Sequence, residues 1–184
     1  MRKMRHDTRA RLIDITFDEI FTHGYQGASL SAILGKAGIN KGSMYHFFQS
    51  KKEMAMAMME EKLQILVPDV EPPYLDNLFA SLREMGRLDL SRGCPVANLI
   101  QEMSNVDEDF HRILHRIYGD ARARFKSVFD AAIIAGEMPP TETEKLATLA
   151  FMLLEGGMLG AKIGRSSDNY SLAIDAMERL VRGG

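Results

Sequence analysis

The chain has 184 residues and a single cysteine, Cys94. One thiol cannot close an internal disulfide, so a cystine-stapled fold is excluded, and a reducing compartment such as bacterial cytoplasm is expected. Strand signals are almost missing: β-branched residues never alternate over more than a few positions, which argues against a sheet. No internal repeat or low-complexity tract is present. Met1 to Arg11 is polar and basic with no apolar run behind it, so no secretory leader is expected. Long apolar runs are lacking too. The longest, Leu146 to Leu159, is broken by Glu155 and the pair Gly156-Gly157. It falls short of the roughly 20 apolar residues of a membrane helix, so no membrane partner is expected. No phosphate loop, zinc pattern or nucleophile–base–orienter arrangement is found, and neither cofactor nor metal is expected.

What is present is apolar mass and a lopsided charge. Apolar residues make up 46% of the chain, enough for a packed interior without disulfides. The net charge of -2 argues, taken alone, against a polyanion partner. Its distribution argues the other way. Residues 1–54 carry nine basic side chains against five acidic ones, while the rest of the chain is acidic. A basic head on an acidic body suits nucleic acid at one end only.

Helical periodicity runs nearly throughout, which predicts an all-α fold of about nine helices. Leu12, Ile13, Phe17, Ile20 and Phe21 mark one face of a first helix, ended by Gly24. Leu30, Ile33, Leu34 and Ala37 mark a second, ended by Gly38. Asn40 caps a very short third through Phe47. Ser50 and Glu53 have the spacing of a capping box and open a fourth, to about Leu66. After a linker, Val67 to Pro73, a fifth helix covers about Tyr74 to Leu90. A sixth starts at Gly93 and Pro95 and ends near Ser104. A seventh covers about Asp107 to Ala135. Thr141 and Glu144 offer a second capping box for an eighth, to about Ile163. The ninth covers about Asn169 to Arg182.

Residues 24–54 hold the strongest functional signal. Two short helices flank Ala37-Gly38-Ile39, where glycine supplies the positive φ of a tight turn. In the second helix, Gly42 and Ser43 have little bulk, so backbone can approach a groove wall. Lys41, Tyr45 and His46 have the reach for phosphates, and Lys51 stands at the next helix start. Met44 and Phe47 face the other way as anchors. The run Gly24 to Leu30, then Ala37 to Phe48, then Ser50-Lys51-Lys52-Glu53 resembles the N-terminal domain of TetR/AcrR-family repressors. That resemblance implies a three-helix helix-turn-helix domain at residues 1–50. It implies a fourth helix, about 50–66, linking to an effector-binding and dimerisation domain at 51–184. It also implies a homodimer on a palindromic double-stranded DNA operator. The family's phosphate contacts map onto Ser29, Tyr45, His46 and Lys51, and its base contacts onto Lys41, Gly42 and Ser43. Asn40 departs from the usual serine or threonine. Either type caps a helix, so the departure bears on base preference rather than on the fold.

The body resembles the family more thinly. Gly93-Cys94-Pro95 with Asn98, Gln101, Glu102 and Met103 is similar to a branch with a glycine-cysteine start to its sixth helix. Some relatives in the wider branch sense electrophiles or oxidants through that cysteine. A helix N-terminus and nearby Arg92 favour a Cys94 thiolate. Cys94, Asn98, Met103 and His111 are therefore the candidate sensor and effector residues for an unidentified small molecule. Thirteen methionines can shape an adaptable pocket, though most serve as core. Gly156 and Gly160, four residues apart, suggest a close helix approach. With Met177 and Leu180 they are the candidate dimer interface. Two rivals stand beside this reading. Glu108, His111 and His115 are spaced as one half of a carboxylate-bridged metal site in a helical-bundle enzyme, but a second copy is missing. A helical protein-interaction module is the other.

Overall fold

The computed structural model describes residues 2–63 and 67–183, with side chains from residue 7 onward. Among the described residues there are helices and no strands. The order is α1 (Arg2–Gly27), α2 (Leu30–Ala37), α3 (Lys41–Met44), α4 (Lys51–Lys62), α5 (Tyr74–Met85), α6 (Pro95–Met103), α7 (Glu108–Ile134), α8 (Thr143–Gly164) and α9 (Asp168–Arg182). They form two compact units. One is Met1–Gln64 with Asn98–Ile117, the other Ile65–Ala97 with Tyr118–Gly184.

The first unit is built by local caps around a small apolar centre. Ser29 caps α2, its hydroxyl accepting the Ala32 N–H at 3.1 Å. Gly38, at φ 62°, closes α2 by donating to the carbonyls of Leu34 and Gly35. That is the left-handed residue the turn demands. Asn40 caps α3 through the Ser43 N–H at 2.8 Å. Ser50 caps α4 through the Glu53 N–H at 3.0 Å. Glu53 reaches back to the Gln49 N–H at 2.6 Å, one residue earlier than a standard capping box. Leu12, Ile13, Ile33, Met44, Phe48, Met54 and Met58 are buried together in this unit. Phe48, rather than half-buried Phe47, is the aromatic anchor behind α3. Glu19 is buried and held by Lys36 at 2.5 Å.

The second unit packs α5 and α9 together and α8 against α9. Phe79, Phe125, Phe129, Phe151 and Tyr170 are fully enclosed. The Tyr170 hydroxyl donates to the Leu82 carbonyl at 2.8 Å, which satisfies a polar group that burial would otherwise penalise. Pro73 has no side-chain cap to offer α5. Instead the Glu137 carboxylate accepts the Tyr74 and Leu75 N–H groups, both at 2.8 Å. Arg83 and Arg182 both bind Glu178, tying α9 to itself and to α5.

Several boundaries differ from those the sequence pattern predicts. The first helix is not among them: its helical geometry ends at Gly24 (φ 74°, ψ 167°) as the pattern predicts, and the span to Gly27 joins a second short helical turn across that break. α5 stops at Met85, where the chain tightens: the N–H groups of Arg87 and Leu88 donate to the carbonyls of Glu84 and Met85, three residues back. A Cβ on Gly86 would lie 2.9 Å from the Tyr170 ring. The Thr141–Glu144 capping box does not form: α8 opens at Glu142 without a side-chain cap. Thr143 instead donates to Asp130 at 2.6 Å. α8 has 22 residues and is apolar enough for a membrane span by length and composition, contrary to the expectation drawn from its charge and glycine pair. Its inward face accounts for much of that apolar character: Ala147, Ala150, Phe151, Leu154, Met158 and Ala161 are buried in the unit. The expected end of α4 at about Leu66 lies outside the described residues.

Candidate nucleic-acid interface

The candidate DNA-binding residues lie on the caps and exposed edge of α2, α3 and α4. Ser29, Asn40 and Ser50 are N-caps, so their side-chain oxygens are committed to backbone N–H groups. Ser29 also shares a hydrogen bond with Ser31 at 3.1 Å. Lys41, Gly42, Tyr45 and His46 are exposed, Ser43 is half-exposed, and Met44 beneath them is buried. The short helix therefore presents one polar face and anchors the other. The Lys41 ammonium lies 5.8 Å above the Tyr45 ring, which holds a cation and a phenol on the same edge. A Cβ on Gly42 would come within 3.3 Å of the Asn40 oxygen that caps the helix. Glycine there spares the cap and keeps the edge low.

Lys51 departs from a purely phosphate-facing role. Its ammonium donates to the carbonyls of Tyr25 at 2.7 Å and Ala28 at 2.9 Å, and sits 4.3 Å from the Tyr25 ring. Two of its three protons are spent inside the protein, leaving one for an anion. Lys52 points to Asp107 and Asp109, both at 2.7 Å. These hydrogen bonds hold both aspartates below the ordinary carboxylate range and push Lys52 up. Tyr25 packs edge-on against Phe110 with ring centres 4.6 Å apart. Its hydroxyl is pushed up by burial and by the Asp107 charge. The Glu102 carboxylate accepts the N–H groups of Tyr25 and Gln26, each at 2.8 Å. In sequence Glu102 is only one polar residue of the sixth helix. No spacing rule signals a partner 76 residues away.

The remaining candidates divide. Cys94 is buried, and its thiol is pushed far up by burial and by the Glu155 charge. The N–H groups of Ala97 and Val96 at the start of α6 act in the opposite direction but lose. The expected thiolate is thus replaced by a thiol, because desolvation outweighs a helix N-terminus. Both Glu155 oxygens are buried without a nitrogen or oxygen donor. Burial raises its carboxyl above the usual range, and the neighbouring Cys94 thiol offsets this only in part. Asn98 is half-buried, Met103 buried and His111 exposed. The His111 and His115 rings stand 6.0 Å apart on α7, both exposed. Among the described residues no third histidine, cysteine or carboxylate joins them in a metal-holding group.

On α8, Leu149, Met152, Leu159 and Ile163 are exposed, Ile163 to 82%. With Gly156 they recur every three or four residues, which places them on one helix face. Leu180 on α9 is exposed too, whereas Met177 is 0% exposed and belongs to the core of its own chain. Gly160 also has an internal reason: a Cβ there would meet the Asn169 Cβ at 2.6 Å. A Cβ on Gly156 meets nothing.

Residues 12–58 match the model of bacterial regulatory proteins, tetR family. Residues 73–177 match the tetracyclin repressor-like C-terminal domain. The chain is 30% identical over 129 residues to an HTH-type transcriptional regulator in the lacX 3' region of Lactococcus lactis subsp. lactis. That match covers 64% of this chain and 66% of the relative, slightly under two thirds of its length. The chain is 29% identical to the HTH-type transcriptional repressor NemR of Escherichia coli K12, over 96% of this chain and 94% of NemR. The crystal structure of reduced E. coli NemR has the same fold, with a TM-score of 0.82 at 24% identity, over 95% of this chain and 97% of that one. Matched in its helix-turn-helix segment and across most of its body, the chain belongs to the TetR family of DNA-binding transcriptional regulators, a family without enzymes.

Proposed function

We propose that this regulator is a homodimeric repressor of the bacterial cytoplasm. It grips a palindromic operator with residues 1–50 and lets go when a small molecule binds its body, residues 51–184. The observation that carries the reading is α3: four residues long, capped by Asn40, anchored by Met44, with Lys41, Tyr45 and His46 outward. Such an edge fits a major groove, with Gly42 and Ser43 allowing backbone close to the bases. Lys41, Gly42 and Ser43 read bases. Tyr45, His46, the free donor of Lys51 and the first turn of α2 behind Ser29 hold phosphates.

The apolar face of α8 supports the dimer. Leu149, Met152, Leu159 and Ile163 form an exposed apolar stripe that a monomer leaves wet. A second copy of the same stripe is the self-complementary cover that two-fold symmetry supplies. Two recognition helices would then lie about 34–36 Å apart, matching half-sites one turn apart. The NemR relative is by name a repressor, which supports that sign of regulation.

The test is selection from a random-sequence DNA pool, with sedimentation of the free protein. Recovery of one inverted repeat, bound by a dimer, is the expected result. A folded protein that enriches no sequence, or sediments as a monomer at micromolar concentration, defeats the reading.

A further inference from the structure

We infer that Glu102 is a positioning residue for DNA binding: its carboxylate clamps the turn that presents α2 and Lys51 to the phosphates. This deepens the DNA-binding reading and rests on it. The clamp starts from a defect in α1. At Gly24 the backbone leaves helical geometry, so the N–H groups just beyond it lose their helical acceptors. Glu102 replaces them. One oxygen takes the Tyr25 N–H and the other the Gln26 N–H, both at 2.8 Å. A charged acceptor spanning two adjacent donors fixes direction as well as distance. The site is also tailored for the carboxylate: a Cβ on Gly24 would stand 2.8 and 3.0 Å from its two oxygens.

What the clamp holds is the candidate DNA-binding edge. Residues 25–28 lead directly into Ser29, the cap of α2. Their carbonyls at Tyr25 and Ala28 are the ones that aim the Lys51 ammonium. Phe110 packs on the Tyr25 ring, and Asp107 and Asp109 hold the neighbouring Lys52. One short segment is therefore gripped from the α6–α7 side and from α4. Without Glu102, two N–H groups lose their partner and the turn is free to rotate. Ser29 and Lys51 then lose their common register. A misplacement of phosphate contacts lowers affinity for all sequences alike.

The sign of the effect separates this role from simple electrostatics. Removing a negative charge from a DNA-binding unit strengthens binding when that charge merely repels phosphates. The clamp requires the reverse. The experiment uses the wild type, Glu102→Gln, Glu102→Ala and, as a charge control, Asp7→Asn, an exposed position of α1. The DNA is the site the wild type selects from a random-sequence pool, with a scrambled duplex beside it. Glu102→Gln keeps the size of the side chain but offers one acceptor where two are needed. It is expected to weaken binding to both duplexes by tenfold or more, while Asp7→Asn binds as well as the wild type or better. Amide exchange is the second readout. Tyr25 and Gln26 lose protection in Glu102→Gln, while the amides within α4 keep theirs. Wild-type or tighter DNA binding by Glu102→Gln overturns the assignment, as does loss of protection throughout α1–α4, which marks a purely structural role. If the wild type itself selects no site, the DNA-binding reading fails and takes this inference with it. The exchange data then still report separately whether the clamp exists.

Discussion

Replacing Asn40 by alanine removes the side-chain cap of a helix only four residues long. A lost cap costs about 1 kcal/mol, and so short a helix has only the bonds from the Met44 and Tyr45 N–H groups to the Asn40 and Lys41 carbonyls to absorb it. We expect operator affinity to fall about fivefold, measured by titration of labelled DNA, with thermal stability reduced slightly. Glu155 is the counterpart in the body. Its carboxyl is raised by burial, so the folded protein holds a proton that the unfolded chain releases near the ordinary glutamate value. Stability drawn from this group is complete below that value and falls as pH rises through the raised one. Glu155→Gln should abolish this decline. In urea titrations the variant should gain on the wild type from pH 4 to pH 7; a constant difference would show that the carboxyl is not desolvated. Asn40 is legible in the sequence because capping is local. Glu155 is not, since it sits in a helix pattern whose inward face only packing defines.

Among the helices, two glycines of α8 predict opposite outcomes. Gly160→Ala drives a methyl to 2.6 Å from the Asn169 Cβ, so α9 must shift. Overpacking of this kind costs about 1–3 kcal/mol, partly offset by helix propensity, and should lower the melting temperature. Gly156→Ala meets nothing within the chain. In an isolated protomer it should stabilise α8 by up to about 1 kcal/mol. If α8 meets a second copy there, the same change weakens dimerisation in sedimentation while leaving the protomer's helix content intact. Leu159→Glu places a charge in the exposed stripe and should raise the dimer dissociation constant at least a hundredfold. A dimer unaffected by it would move the interface away from this face. Four-residue spacing identifies the pair; which glycine serves α9 and which faces outward follows only from where α9 lies.

Taken as one molecule, the protein is a polyanion binder with an acidic net charge, and the asymmetry makes a measurable statement. On the proposed reading only the basic head neutralises phosphate, so affinity should fall steeply with salt, with a slope set by the contacts made. Raising salt from 50 to 200 mM should cost about a thousandfold if some six phosphates are held by the dimer. A shallow slope would assign the head to protein contacts instead. The reactivity of Cys94 is likewise a property of the packed unit that buries it rather than of its place at a helix start. Alkylation by iodoacetamide should be slow in the native protein and fast after unfolding.

The helices, their caps at Ser29, Asn40 and Ser50, the left-handed turn at Gly38 and the family all follow from the order of residues along the chain. These are properties of neighbouring residues, whose geometry is set within one or two turns of chain. Packing, by contrast, makes Met177 core, turns Cys94 into a desolvated thiol and leaves Glu155 without a nitrogen or oxygen donor. Packing also closes Glu102 on Tyr25 and Gln26 and spends most of the Lys51 donors internally. Burial and electrostatics depend on which distant segments arrive at the same place, and sequence spacing does not encode that arrival.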